Sequence, residues 1–254
     1  MKLIAKTLEG LEEVLAGELS DLGASRTSLL KRAVEFEGDL ALMYRANLCS
    51  RTALRILMPI HSFDARNEDQ LYRQVGKVDW SQYLELHETF AIDSVVHSSR
   101  FTHSHYAALK AKDAIVDQFR RRTGKRPSID VKSPTLRINL HIRENDVNLL
   151  LDSSGDSLHL RNYRRDSISA PLNEVLAAGM IRLSGWKGDR PFLDPMCGSG
   201  TLAIEAAMMA ANIPPQRQRR NFGFRNWKNY DRELWKKIKK EAEDAITTDL
   251  PPIV

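Results

Sequence analysis

The stretch that most constrains this chain is Pro191-Phe192-Leu193-Asp194-Pro195-Met196-Cys197-Gly198-Ser199-Gly200-Thr201. An apolar strand, expected over Arg190–Leu193, runs into a carboxylate and a tight turn with two glycines. A helix expected from Thr201 to Ala211 follows. Gly198 and Gly200 permit positive φ and leave no Cβ to block a ligand at the backbone. The helix start aims unpaired N–H groups at the same place. Asp194, at the carboxyl end of the strand, is placed to accept hydrogen bonds from an amine or hydroxyl. The third glycine of a dinucleotide fingerprint is missing, and no Gly-Lys-Ser/Thr follows as in a phosphate loop. An acid beside the turn repels a pyrophosphate but suits a cationic ligand without phosphate, such as S-adenosylmethionine. The plain alternative is a structural strand-to-helix turn. Cys197 has no histidine near it in sequence, and a small residue is simply what fits there.

Upstream, short strands alternate with helices. Leu3–Thr7 reads as a strand and Gly10–Leu22 as a helix, with Leu11, Val14, Leu15, Leu19 and Leu22 at helical spacing. Ala33–Glu37 alternates and ends at Gly38-Asp39, which opens a helix through Leu48. Leu54–Ile60 is an apolar strand expected to close at Pro59. Phe90–Val96 leads into a long helix from His103 to Arg122, with an expected buried stripe of Ala107, Leu109, Ala111, Ala114, Ile115 and Phe119. Leu136–Ile142 and Val147–Asp152 flank the turn signal Glu144-Asn145-Asp146 and read as a hairpin. Mixed helices and antiparallel strands predict an α+β region. The character changes after Ser153-Ser154-Gly155. This puts a domain boundary between Asp152 and Ser169, followed by a helix starting near Pro171.

The 254 residues carry 42 % hydrophobic and 28 % charged side chains, a globular balance that allows one large domain or two ordinary ones. No run of about 18 apolar residues exists, which argues against a membrane span. The first residues lack a signal core, and the two cysteines, Cys49 and Cys197, have no metal-ligand spacing around them. A reducing, cytoplasmic setting without disulfides or a zinc site is the expectation. The net charge of +5 is uneven along the chain. Residues 101–165 hold 13 Lys/Arg against 7 Asp/Glu, a net of +6, whereas residues 1–100 are net negative. Such an island points to a polyanion, with a merely solvated face as the rival.

Several strings resemble one family in order along the chain. Asp194-Pro195-Met196-Cys197-Gly198-Ser199-Gly200-Thr201 is similar to motif I of the class I RNA methyltransferases that carry a THUMP domain. Leu158-His159-Leu160-Arg161-Asn162-Tyr163-Arg164 resembles that family's junction, and Ala170–Ala178 its motif X helix. The resemblance extends over essentially the whole chain and is greatest to the ribosomal large-subunit enzymes that methylate the exocyclic amine of a guanine. It implies a ferredoxin-like segment over 1–42 and an α+β THUMP domain over 43–154 that holds RNA. From 155 to 254 it implies the truncated start of a Rossmann-like α/β methyltransferase domain. It also implies that Asp194, Met196, Cys197, Gly198, Ser199, Gly200 and Thr201 bind S-adenosylmethionine, with Pro171, Leu172 and Asn173 closing the pocket.

The family's catalytic Asn-Pro-Pro-aromatic loop is missing. Asp249-Leu250-Pro251-Pro252-Ile253 does not replace it, because the polar residue stands one position early and no aromatic follows. That string reads as a linker into a second strand beginning at Ile253-Val254. The chain therefore reads as a fragment that is inactive alone, whose full-length protein is the enzyme. A methyltransferase directed at tRNA and an RNA-binding module without catalysis are the alternatives.

Candidate RNA contacts follow from the basic island. Arg120, Arg121, Arg122, Lys125 and Arg126 end the long helix, where the helix dipole alone also favours cations. Lys110 and Lys112 extend that patch. Arg161, Tyr163 and Arg164 combine charge with a stacking ring and suit either RNA or a domain interface. Arg217, Arg219, Arg220, Phe222, Phe224, Arg225 and Trp227 interleave cations and rings. They read either as a base-stacking surface or as a packed excursion.

Overall fold

The computed structural model describes residues 1–163 and 171–254, so Arg164 lies outside the described residues. The chain packs into two compact units: Met1–Ile56 with Asp156–Phe222 and Asp231–Val254, and Leu57–Gly155 with Gly223–Tyr230.

The first unit begins with Lys2–Lys6 (β1), Glu12–Asp21 (α1), Arg26–Leu30 (β2), Ala33–Glu37 (β3) and Leu40–Cys49 (α2). The strands order β2-β3-β1, all antiparallel, with Leu3 opposite Phe36 and Ala5 opposite Val34. These four side chains and Leu15, Leu19 and Met43 are buried. Asp39 caps α2 by accepting from Leu42 N at 2.8 Å, as the Gly38-Asp39 signal predicts. β2 is exposed along its whole length. It has no buried alternate face to betray it in sequence and is held through its backbone pairing with β3.

The second unit holds Arg55–Asp64 (β4) from Leu57 onward, then Glu68–Val75 (α3), Thr89–His97 (β5) and Ser104–Thr123 (α4). Ser128–Ile129 (β6), Leu136–Arg143 (β7) and Asp146–Asp152 (β8) complete it, in the order β4-β8-β7-β5-β6. β5 runs parallel to β6 and β7, and the β7–β8 hairpin forms as its turn signal predicts. Pro59 does not close β4. A register shift between Pro59 and His61 absorbs the proline's missing N–H, and the strand continues to Asp64. Along α4, Leu109 is only half-buried, while Val116 and Gln118 join the buried face. Gln118 accepts from Trp80 N and donates to the carbonyls of Gly76 and Val78, pinning the loop after α3. Phe224, fully buried, seats Gly223–Tyr230 through its N–H on Ser153 O.

The first unit resumes with Glu174–Leu183 (α5), Thr201–Ala210 (α6) and Arg232–Asp244 (α7). α5 starts after Asn173, whose Oδ1 accepts from Val175 N and Leu176 N; Pro171 therefore precedes the helix and is not in its first turn. α5 meets α1 closely at Gly179, where an added Cβ would lie 2.5 Å from Leu11 Cδ1. Arg190–Leu193 does not form a full strand. Phe192 instead makes a single parallel bridge to Ile253, as the start of the second strand at that residue requires. Ile181, Trp186 and Ala206 form a small core between α5 and α6, with Phe192 and Ile253 packed on it. Residues 211–247 are an excursion whose neck is closed by Thr247 N donating to Ala211 O. Trp235 of α7 sits edge-on to Tyr44 of α2 and to Phe222, with ring centroids 5.8 and 5.3 Å away.

Candidate functional site

The glycine turn stands at the end of the Phe192–Ile253 bridge. Phe192 N donates to Pro252 O, Val254 N to Phe192 O and Asp194 N to Val254 O. The Asp194 backbone is thereby fixed, and its Oδ1 accepts from Met196 N at 3.3 Å. Gly198 and Gly200 have φ of +53° and +73°, and Gly200 N closes the turn on Cys197 O. A Cβ on Gly198 would meet nothing within 4 Å, and one on Gly200 only Ile204 Cδ1, so the space the glycines leave is open. Gly200 is the N-cap of α6 and provides no side chain to satisfy the first-turn N–H groups. Ser199 Oγ lies 3.1 Å from Thr201 Oγ1. Met196 is 90 % exposed and Cys197 is exposed.

Backbone donors in an open cradle, with a carboxylate on its rim and no lysine, fit an amino-acid or nucleoside ligand and not a polyphosphate. Among the described residues no group of His, Cys, Asp or Glu could hold a metal. Asn173 spends its side-chain oxygen on capping α5, beside a half-buried Leu172 and an exposed Pro171.

Arg161 requires a correction. It is 1 % exposed, so it is not an RNA contact. Its guanidinium donates to Leu158 O, to Arg51 O and, at 3.4 Å, to Glu205 Oε1 of α6. Tyr163 Oη donates to the same oxygen at 3.2 Å. Burial pushes the Glu205 carboxyl up, with Arg161 and Arg51 opposing that shift. Arg51 is itself buried, which lowers it to about 10; it donates to Met208 O and Ile213 O at 3.0 and 2.8 Å. Glu18 completes the network by accepting from the N–H groups of Arg51 and Thr52 and the hydroxyls of Ser50 and Thr52. Sequence reasoning missed Glu205, Arg51 and Glu18. The available signal was a lone carboxylate within the otherwise apolar Leu-Ala-Ile-Glu-Ala-Ala, which demands a cationic partner when buried.

The basic end of α4 lies along a groove of about 780 Å³ within the second unit. Val116, Pro127 and Ile129 contribute apolar lining, and Lys110, Lys112, Arg120 and Arg126 contribute the cations, beside Tyr72, Asp113 and Asp117. Lys110 stands over the Tyr106 ring at 5.5 Å and Lys112 pairs with Asp113 at 2.8 Å. Asp117 accepts from Tyr72 Oη and Arg120 Nη1, and that acceptor raises the Tyr72 pKa. Arg121 reaches Asp117 O, while Arg122 bonds Asp79 at 2.6 Å. Hydrogen bonds from Ser81 and Arg122 hold Asp79 at about 2. Lys125 and Arg126 are exposed. The later cation–aromatic stretch is a packed excursion: Phe222, Phe224 and Trp227 are buried, and Arg219 donates to the carbonyls of Asp156, Ser157 and Asn221. Its rings are not available for base stacking.

Residues 2–57 match the family described as RlmL ferredoxin-like domain, residues 65–152 the THUMP domain, and residues 161–253 the RMKL-like methyltransferase domain. The chain belongs to the THUMP-domain methyltransferase family. It is 45 % identical over 246 residues to ribosomal RNA large subunit methyltransferase K/L of Syntrophotalea carbinolica, covering 95 % of this chain and 34 % of that protein. It is 41 % identical over 239 residues to slr0064 of Synechocystis sp., named as a candidate RNA methyltransferase, covering 94 % of this chain and 62 % of that one. The crystal structure of SMU.472, a candidate methyltransferase complexed with SAH, superposes with a TM-score of 0.86 at 32 % identity, covering 98 % of this chain and 66 % of that chain. The chain thus spans about a third to two thirds of the length of these relatives. No helix among the described residues is long and apolar enough to cross a membrane.

Proposed function

We propose that the protein carrying this chain is an S-adenosylmethionine-dependent RNA methyltransferase that modifies the exocyclic N2 of a guanine in large-subunit ribosomal RNA. The observation that carries the reading is the open cradle at Gly198–Thr201 with Asp194 on its rim. The α6 N–H groups and the hydroxyls of Ser199 and Thr201 serve the amino-acid end of the cofactor, and Asp194 its amine or a hydroxyl. Met196 and Cys197 line the approach, with Pro171, Leu172 and Asn173 on the neighbouring segment. S-adenosylmethionine supplies an electrophilic methyl group. The groove beside Lys110, Lys112, Arg120 and Arg126 holds RNA phosphates, with Arg121, Arg122 and Lys125 adding to its field.

The residues that touch the target base belong to an Asn-Pro-Pro-aromatic loop outside these 254 residues. The larger size of the relatives supports this reading. The test is methylation of large-subunit ribosomal RNA and of tRNA with labelled cofactor, using this chain and the full-length protein. N2-methylguanine in ribosomal RNA from the full-length protein alone is expected. Transfer by the chain alone overturns the division of labour, and modification of tRNA alone overturns the substrate.

A further inference from the structure

The cofactor loop does not hold itself in place. Residues 195–198 are exposed, and the turn leads directly into α6, so the aim of its N–H groups is set by where α6 sits. Eight of the ten residues of α6 are apolar. Apolar packing against Ile181 and Trp186 holds such a helix without fixing its rotation or its height, because hydrophobic packing is non-directional. Directional bonds come from the other side. Glu205 lies one turn below Thr201 and is fully buried. Its partner Arg161 is itself tied to the backbone carbonyls of Leu158 and Arg51. At the far end of the helix Arg51 holds Met208 O and Ile213 O.

We propose that Arg161 and Glu205 are positioning residues for the cofactor: their buried pair fixes the rotation and height of α6, and through it the aim of the Gly198–Thr201 N–H groups. This rests on the reading of that loop as the S-adenosylmethionine site. A turned or shifted α6 would strand Glu205 without its cation, so the pair selects one register.

The test compares Arg161→Met and Glu205→Gln with Leu3→Ala in the full-length protein. Leu3→Ala weakens the same unit from β1, away from α6. Two readouts are used: the dissociation constant for S-adenosylhomocysteine by calorimetry, and amide exchange across residues 196–204. Arg161→Met is expected to weaken binding by about tenfold or more and to speed exchange in that segment selectively. Glu205→Gln keeps the acceptor for Arg161 and Tyr163, and Leu3→Ala leaves α6 in place. Both are expected to stay within about threefold of wild type in affinity, well under the 1.4 kcal/mol of a tenfold change. If Arg161→Met and Leu3→Ala lose affinity in proportion to their loss of thermal stability, or if Glu205→Gln is as weak as Arg161→Met, the proposal is overturned. If wild type binds no S-adenosylhomocysteine, the proposed function fails, and the exchange comparison decides the positioning role by itself.

Discussion

Two groups of arginines look alike in the sequence and do opposite things in the protein. Arg120, Arg121, Arg122 and Arg126 stand on the surface at the end of α4 and beside its groove. Arg51 and Arg161 are buried and spend their donors on carbonyl groups and Glu205. The surface group keeps its field in solvent, where a polyanion competes with weak, screened pairs to Asp79 and Asp117. The interior group has been taken out of water, so what it holds, it holds against a large desolvation cost. A basic stretch therefore indicates a ligand only when nothing inside the protein has a carboxylate or unpaired carbonyl waiting for it.

The contrast breaks most sharply at Arg161. Arg161→Met leaves Glu205 buried without its cation and is expected to cost about 3–5 kcal/mol, read by urea unfolding. Adding Glu205→Leu should restore most of that stability, and a double variant no more stable than the single one would show that the pair is not the cause. Next in size is the groove. Replacing Lys110, Arg120 and Arg126 together by Gln should lower affinity for structured ribosomal RNA. It should also reduce the slope of log K against log salt by about 0.7–0.9 for each phosphate no longer neutralised, with the unfolding midpoint unchanged. An unaltered slope would remove these side chains from the RNA surface.

The smallest effect belongs to Arg122→Ala. Asp79 titrates at about 2 in the folded chain against an ordinary 3.8. Its depressed pKa contributes stability above the unfolded value, and that contribution is lost as pH falls from about 4 through 2. The variant should raise the Asp79 midpoint, followed by NMR titration, and lower the urea midpoint near neutral pH only slightly, because the pair is solvent-exposed. A large loss of stability at pH 7 would mean that the surface group is structural after all.

What the sequence disclosed was whatever local chemistry decides. The Gly198/Gly200 turn, the Asp39 cap and the β7–β8 hairpin each depend on residues within a few positions of one another, and each forms where expected. β2 left no trace because it has no buried face, and Pro59 misled because a bulge accommodates it. Arg161 and Glu205 are 44 positions apart. No pattern within either segment tells a guanidinium bound for solvent from one bound for the interior. The rings of the excursion read two ways in the sequence, as a stacking surface or as packing, and only the burial of Phe222, Phe224 and Trp227 selects the second.

The stretch Gly223–Tyr230 has a consequence for the order of biosynthesis. It completes the second unit, yet it is made 68 residues after Gly155, the last residue of that unit's main run. At roughly 5–20 residues per second, the sheet from β4 to β8 waits on the order of 3–14 s for its final piece. Throughout that interval Ser153 lacks the Phe224 N–H it bonds in the finished protein. The nascent chain thus holds one unit open while it manufactures the Gly198–Gly200 turn of the other.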